Sequence, residues 1–253
     1  MKRVLMIIGA VLLYAACKKE NIVKYTEKSR IYFSLRKDSL YSKFPLSTAG
    51  NIQIDYAPQN SVKKRDTLRL SFQTSGVVST ADRAFVLERN TAAGTGKEGS
   101  DFEFVDKQFV IPAGKLSTIV RLAVLRSPDM AKQPVSFGFR LKANDNFELG
   151  PDRDTTNFSS NSAIMNMTAV KITAKDVVVK PANWDSFLQT YFGVYSEVKY
   201  RFIIDVLALT SIPSTTTASR MNTYRTNLRN ALTKYNNEHP EKLKDENGIE
   251  ISF

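Results

Sequence analysis

The sequence predicts a mainly β protein, in which an antiparallel β-sandwich is followed by a small α+β unit. Through much of the first 175 residues, apolar and polar side chains alternate with period two, which is typical of strands with one solvent-facing side. Turn residues separate these segments at short intervals, as in all-β domains. After residue 175 the pattern changes, and apolar residues recur at helical spacing in two segments.

The first 16 residues have the layout of a signal peptide. Lys2 and Arg3 precede an apolar run over residues 4–16, and small residues end that run directly before Cys17. As a helix, the run would rise only about 20 Å, which is less than the roughly 30 Å of a membrane's hydrocarbon core. The pattern therefore favours a cleaved signal at 1–16 over a permanent membrane span.

Cys17 and the residues before it resemble the lipobox of bacterial lipoproteins. The resemblance implies that the Cys17 thiol carries diacylglycerol and that the chain is cut directly before it. Residues 17–28 are mostly polar, so we expect a lipidated flexible tether there. The alternatives are an ordinary secretory signal cut after Ala16, or a cysteine that is buried by chance.

Residues 29–175 form the predicted sandwich. The alternation is clear over residues 134–141, where Val135, Phe137 and Phe139 point to one side and Arg140 to the other. Pro112-Ala113-Gly114 is typical of a tight turn between strands. The predicted strands cover residues 30–35, 52–56, 68–73, 83–89, 102–105, 108–111, 116–125, 134–141 and 163–173.

Residues 176–253 form the predicted α+β unit. A short helix with Trp184 and Tyr191 on one face ends at Gly193, whose freedom at positive φ suits a helix end. The other predicted elements are a strand at 198–206, a helix with its apolar stripe from Met221 to Tyr235, and a strand at 249–253 after a turn at 246–248.

Within residues 85–149, several short motifs resemble a Calx-beta-type immunoglobulin-like domain. They are Gly94-Thr95, Gly99-Ser100-Asp101-Phe102, Phe109-Val110-Ile111 and the Pro112-Ala113-Gly114 turn. The resemblance implies an immunoglobulin-like sandwich. Calx-beta domains that bind calcium place several carboxylates in their loops, whereas the corresponding turn here, residues 126–130, has one acid beside an arginine. We therefore expect no calcium at this turn.

Taken with the lipobox and residues 183–200, nearly the whole mature chain resembles a family of Bacteroidota lipoproteins of unknown function. Members are often encoded beside SusC/SusD-type outer-membrane uptake systems. The resemblance implies a lipid anchor in the outer membrane and a partnership with an importer of glycans or peptides. It leaves both the periplasmic face and the cell-surface face as alternatives. It also implies a non-catalytic binding or accessory role. A purely structural scaffold and a carboxylate-dependent hydrolase are the alternatives.

The candidate ligand-binding residues are three aromatic side chains near the start of the second unit: Trp184, Tyr191 and Tyr195. If exposed, their rings would offer flat surfaces for sugars or peptide side chains. If buried, they would form the core of the second unit, and the sequence favours this alternative. Only an exposed position would give these residues a role in binding.

Composition excludes several classes of function. One cysteine and one histidine leave no disulfide framework and no site with several histidines, so we expect no metal and no cofactor. Paired carboxylates such as Asp101 and Glu103 arise by chance among 25 acids, so we also expect no enzyme activity. The net charge is +11, and residues 18–80 carry twelve Lys and Arg against five Asp and Glu. This excess favours either anionic headgroups near the tether or a solvated surface with no particular partner, and no nucleic-acid motif accompanies it.

Overall fold

The computed structural model describes residues 27–34, 51–152 and 166–253. The predicted signal peptide, Cys17 and the tether up to residue 26 lie outside the described residues, as does the first part of the predicted strand at 163–173. In the described ranges, no helix combines the length and the apolar character that crossing a membrane requires.

The protein is mainly β, with 30% of the described residues in strands and 24% in helices. The strands are β1 Arg30–Phe33, β2 Ile52–Asp55, β3 Arg65–Thr74, β4 Arg83–Ala84, β5 Val86–Arg89, β6 Phe102–Phe104, β7 Val110–Ile111, β8 Ser117–Leu125, β9 Val135–Lys142, β10 Glu148–Leu149 and β11 Ala169–Lys175. The helices are α1 Asp129–Lys132, a π-helical turn Trp184–Leu188 that continues into α2 Gln189–Phe192, α3 Glu197–Leu207 and α4 Ala218–Glu238. A 3₁₀ turn covers Thr91–Ala93.

Two larger sheets and one small sheet organise the strands. The first sheet has the order β10-β1-β3-β8-β6, and the second has the order β2-β11-β9-β5. All pairs in these sheets are antiparallel except β1 with β10 and β2 with β11. The strands β4 and β7 form the small antiparallel sheet. The predicted mainly β architecture is therefore confirmed, and its sheets are mostly antiparallel, with these two parallel pairs as the exceptions.

One hydrophobic core is shared by the two larger sheets. Leu70 and Phe72 of β3 enter it from the first sheet, and Phe137 of β9 and Ile172 of β11 enter it from the second. In β3 every second residue is buried, which is the period that the sequence showed. β9 keeps the predicted alternation, with Arg140 exposed between buried neighbours. The alternating residues thus bury one side of each sheet against the other.

The second unit is helical, so the predicted α+β architecture is wrong for residues 198–206, which form α3. Ser196 caps this helix by accepting a hydrogen bond from the Lys199 N–H, and Tyr200, Ile203 and Ile204 are buried at helical spacing. Apolar residues at 198–206 fit both periods, and packing on the helical core selects the helix. Residues 249–253 form no strand either, since only an isolated bridge between Lys244 and Glu250 closes the turn.

Charged side chains join the helical unit to the sheets. Arg126, which follows β8, donates to both carboxylate oxygens of Asp176 at 2.7 and 2.8 Å. Arg201 of α3 donates to the same carboxylate at 2.6 Å. Nearby, the Asn60 amide donates to the backbone oxygen of Asp205 at 2.8 Å. The helices therefore pack on the sheets through a polar junction.

Candidate functional site

The candidate site is a groove where the edges of the two larger sheets lie side by side. β6 is the last strand of the first sheet, β5 is the last strand of the second, and residues 105–109 cross from β6 to β7. The groove has a volume of about 490 Å³. We call it the edge groove, and its lining consists of Leu87, Arg89, Glu98, Phe102, Phe104, Asp106, Lys107, Phe109 and Phe139.

Phenylalanine rings form the floor of the edge groove. Phe102 and Phe139 are buried in the shared core, with their ring centroids 5.3 Å apart. Phe104 and Phe109 are half-buried, and their centroids are 5.0 Å apart. Phe104 also packs edge-on against Phe139 at 4.8 Å. The floor is therefore continuous with the core, but two of its rings keep part of their surface open to a ligand.

Arg89 fixes one wall of the edge groove. Its guanidinium donates to the backbone oxygens of Gly138, Gly94 and Gly96 at 2.8, 3.0 and 2.9 Å. The same group lies 5.4 Å from the centroid of the Phe102 ring, within cation–π range. Burial lowers the pKa of Arg89. In the described part of the chain it has no carboxylate partner, so its charge is balanced by carbonyl dipoles.

Two glycines let this wall approach β9 closely. Gly94 has φ +139°, and a Cβ there would overlap the backbone of Ser136. A Cβ on Gly138 would lie 2.7 Å from the Cβ of Ala93. The Gly94-Thr95 motif of the sequence is therefore explained by backbone packing.

Asp101 anchors the turn that leads into β6. It is buried, and its carboxylate accepts hydrogen bonds from the Lys97 N–H at 2.7 Å and the Ser127 hydroxyl at 2.6 Å. Glu103 pairs instead with Arg65 at 3.2 Å on the outer surface. These two carboxylates, close in sequence, thus have different partners, and Asp101 holds the groove's wall in place.

Charged residues surround the opening of the edge groove. Asp106 accepts from the Arg121 guanidinium, with the shortest distance 2.6 Å, and hydrogen bonds from Arg121 hold the pKa of Asp106 below its usual value. Lys107 and Glu98 are exposed and have no ion pair with the described residues. An apolar floor with a charged rim suits a ligand that has both apolar and polar groups.

The three aromatic residues predicted from the sequence lie in the helical unit, away from this lining. Trp184 is 0% exposed, its indole N–H donates to the Gly193 oxygen at 3.1 Å, and its ring meets Tyr195 edge-on at 5.1 Å. Trp184 is thus a core residue, the alternative that the sequence favoured, and offers no surface for stacking. Tyr191 is half-buried against Phe187.

Tyr195 is also half-buried, and its hydroxyl is buried without a hydrogen-bond partner. Burial, with smaller effects from Glu197 and Glu246, raises its pKa to about 12. Contact of Tyr191 or Tyr195 with a ligand stays a prediction. Among the described residues, no three His, Cys, Asp or Glu side chains lie close enough together to hold a metal ion.

Sequence reasoning missed the edge groove. The sequence pattern predicts two strands, at 102–105 and 108–111, and gives Phe104 and Phe109 no separate role. The available signal was the short polar stretch Asp106-Lys107-Gln108 between aromatic residues, which marks a crossing from one sheet to another. Nothing in the local pattern shows that both flanking strands lie at sheet edges.

Comparison with known proteins gives a family match. A family model described as "Domain of unknown function (DUF4843)" matches residues 25–209. No curated protein matches the chain.

Two solved structures from Bacteroides ovatus are distantly similar. One is described as a "putative carbohydrate binding protein", with 7% identity and a TM-score of 0.34 over 59% of this chain and 37% of that one. The other is described as a protein of unknown function, with 14% identity and a TM-score of 0.33 over 57% of this chain and 43% of that one. The chain thus spans less than half the length of either neighbour, and likenesses this weak say nothing of its ligand.

Proposed function

We propose that this chain, which belongs to the DUF4843 family, is a non-catalytic binding module. The family's description names no activity, so the proposal is argued from the edge groove. The groove itself is the observation that carries this proposal. It combines the half-buried rings of Phe104 and Phe109 with the charges of Lys107 and Glu98 in about 490 Å³. This size and this mixture of groups are those of ligand sites in proteins.

The walls of the edge groove are held before any ligand arrives. Arg89 ties the loop of Gly94 and Gly96 to β9, and Asp101 ties the turn before β6 to Ser127. Since these contacts order the site in advance, a ligand loses little binding energy in arranging it. Preorganisation of this kind supports a binding role at a fixed sheet edge.

The same proposal includes the cell location. Lipidation at Cys17 would tether the module to the outer membrane, beside a SusC/SusD-type importer of glycans or peptides. Two observations support this. Residues 1–17 run from basic residues through an apolar stretch to small residues before Cys17, and the sequence has the family resemblance described above. The immunoglobulin-like arrangement of the sheets belongs to the proposal as well, supported by the core that both sheets share.

The test is a binding screen with the purified protein against a glycan array and a displayed library of random heptapeptides. Phe109→Ala should lower the affinity for any retained ligand by about tenfold or more, because an aromatic contact of the floor is lost. Lys107→Glu changes only the charge of the rim, so the proposed binding can still be tested if Phe109→Ala unfolds.

Tyr191→Ala is the matched control, since it removes a half-buried aromatic ring from the helical unit instead. Binding that survives both groove variants but falls in Tyr191→Ala would overturn the edge groove and favour the aromatic site predicted from the sequence. A protein that retains no ligand but co-purifies with a porin complex would be a scaffold. Hydrolysis of a retained glycan or peptide would establish the carboxylate-dependent alternative.

A further inference from the structure

Among the described residues, strand β5 is hydrogen-bonded along one side and free along part of the other. On the bonded side, the Asn90 N–H donates to the Gly138 oxygen at 2.9 Å, continuing the antiparallel ladder of β5 with β9. Bonded residues alternate along such a ladder, so Glu88 also faces β9. The backbone N–H and C=O groups of Leu87 and Arg89 therefore point away from β9.

The register of β9 with its other neighbour agrees with this assignment. The Leu141 N–H donates to the Thr168 oxygen at 2.8 Å, on the side of β9 that faces β11. Leu141 is the residue opposite Leu87. Since Leu141 directs its backbone bonds to β11, the pair between Leu141 and Leu87 is one of the non-bonded pairs of the β5–β9 ladder.

On the other side of β5, the pairing with β7 stops partway along the strand. Phe85 precedes Leu87 by two residues, and its N–H donates to the Phe109 oxygen at 2.9 Å, in line with the pairing of β4 and β7. β7 thus occupies this side up to Phe85. Beyond Phe85, no described residue bonds to the backbone groups of Leu87 and Arg89 on that side, and both residues line the edge groove.

We propose that the edge groove binds an extended peptide, which adds to β5 as the strand that would continue the position of β7. The inference rests on the proposed binding function and narrows its ligand class. A peptide backbone offers donors and acceptors on one side at every second residue, the same spacing as Leu87 and Arg89. A glycan has no such repeat, so the free ladder favours peptide over sugar.

The side chains of the groove specify the peptide further. Leu87 and Phe139 lie on the inner face, where the half-buried rings of Phe104 and Phe109 are also open. Alternate residues of an added strand point to one face. The peptide should therefore carry apolar residues at every second position, facing these rings, and polar residues between them. Because β5 is four residues long, the paired segment would span about 13 Å.

A proline at position 87 tests the backbone bond directly. Leu87→Pro removes an N–H that faces the groove and leaves the β9 ladder intact, as proline is tolerated on the free side of an edge strand. Leu87→Ala is the matched control, since it shortens the side chain and keeps the N–H. With heptapeptides selected from the displayed library, we expect affinity about 3- to 10-fold lower in Leu87→Pro than in Leu87→Ala, measured by fluorescence anisotropy.

Backbone methylation of the selected peptide gives the same test on the unchanged protein, and so holds even if Leu87→Pro unfolds. N-methylation at one set of alternate amides should reduce binding by more than tenfold, and at the other set it should not. Equal effects at both sets, or equal affinity for the two Leu87 variants, would overturn strand addition. A glycan whose retention depends on Phe109, without any retained peptide, would overturn strand addition and leave the binding module standing; no ligand of either class would overturn both.

Discussion

The junction between the sheets and the helical unit depends on one carboxylate. Asp176 receives three hydrogen bonds from Arg126 and Arg201, at 2.6 to 2.8 Å. The side chains are 6% exposed for Arg126, 12% for Asp176 and 19% for Arg201. Asp176→Asn removes the negative charge and places an amide N–H₂ where one of the acceptor oxygens was.

The expected cost follows from burial. Removing one partner of a buried ion pair leaves uncompensated charge and costs about 3–5 kcal/mol. Here the remaining charges are two guanidinium groups. Because domains are stable by only about 5–15 kcal/mol, the variant should lose a large fraction of its free energy of unfolding. Both arginines keep backbone acceptors, Asn60 and Lys63 for Arg126 and Ala57 for Arg201, so we expect the lower end of the range.

Urea unfolding followed by two probes measures this effect. The single tryptophan, Trp184, lies in the helical core and reports on that unit by fluorescence, while far-ultraviolet circular dichroism reports on the whole chain. In Asp176→Asn the fluorescence midpoint should move to lower urea. Asp129→Asn is the control: that carboxylate pairs with Lys132 with both side chains about three-quarters exposed, and should cost about 1 kcal/mol or less. Equal midpoints for the two variants would refute the reasoning.

Three further predictions concern the core, the groove wall and the anchor. Burial raises the pKa of Tyr56, whose hydroxyl donates to the Val124 oxygen. Above a pH of about 10, this tyrosine therefore ionises in the unfolded chain before it ionises in the folded one, and the free energy of unfolding falls. Tyr56→Phe should flatten that decline in urea titrations at several pH values. Gly138→Ala places a Cβ against the backbone oxygen of Val170 and the Cβ of Ala93. It should cost about 1–3 kcal/mol in the same titration, and an unchanged value would contradict the close packing. Cys17 should carry acyl chains in native material by mass spectrometry, with Cys17→Ser released from membranes; an unmodified thiol would remove the anchor.

Some elements follow from the residue pattern and others do not. Alternation at Phe137 and Phe139 predicted β9 correctly, and the apolar stripe from Met221 predicted α4, because one face of each element is buried at its own period. Residues 198–206 were predicted as a strand since their apolar residues satisfy both periods, and contact with the helical core decides between them. The sequence favoured a buried Trp184 and kept an exposed ring as the alternative, because an apolar pattern does not show what covers it.

The amino-acid pattern by itself predicted which residues of most strands face inward, where the chain turns, and a signal peptide in residues 1–16. Only the tertiary structure decided which strands lie beside one another. The pairing of Phe85 with Phe109 and of Asn90 with Gly138 joins residues far apart in the chain, and these two pairings leave the backbone of Leu87 and Arg89 without a strand partner among the described residues on one side. Period-two alternation depends on burial of side chains, whereas hydrogen bonds between strands are made by a backbone that every residue shares, so the free edge has no sequence signature.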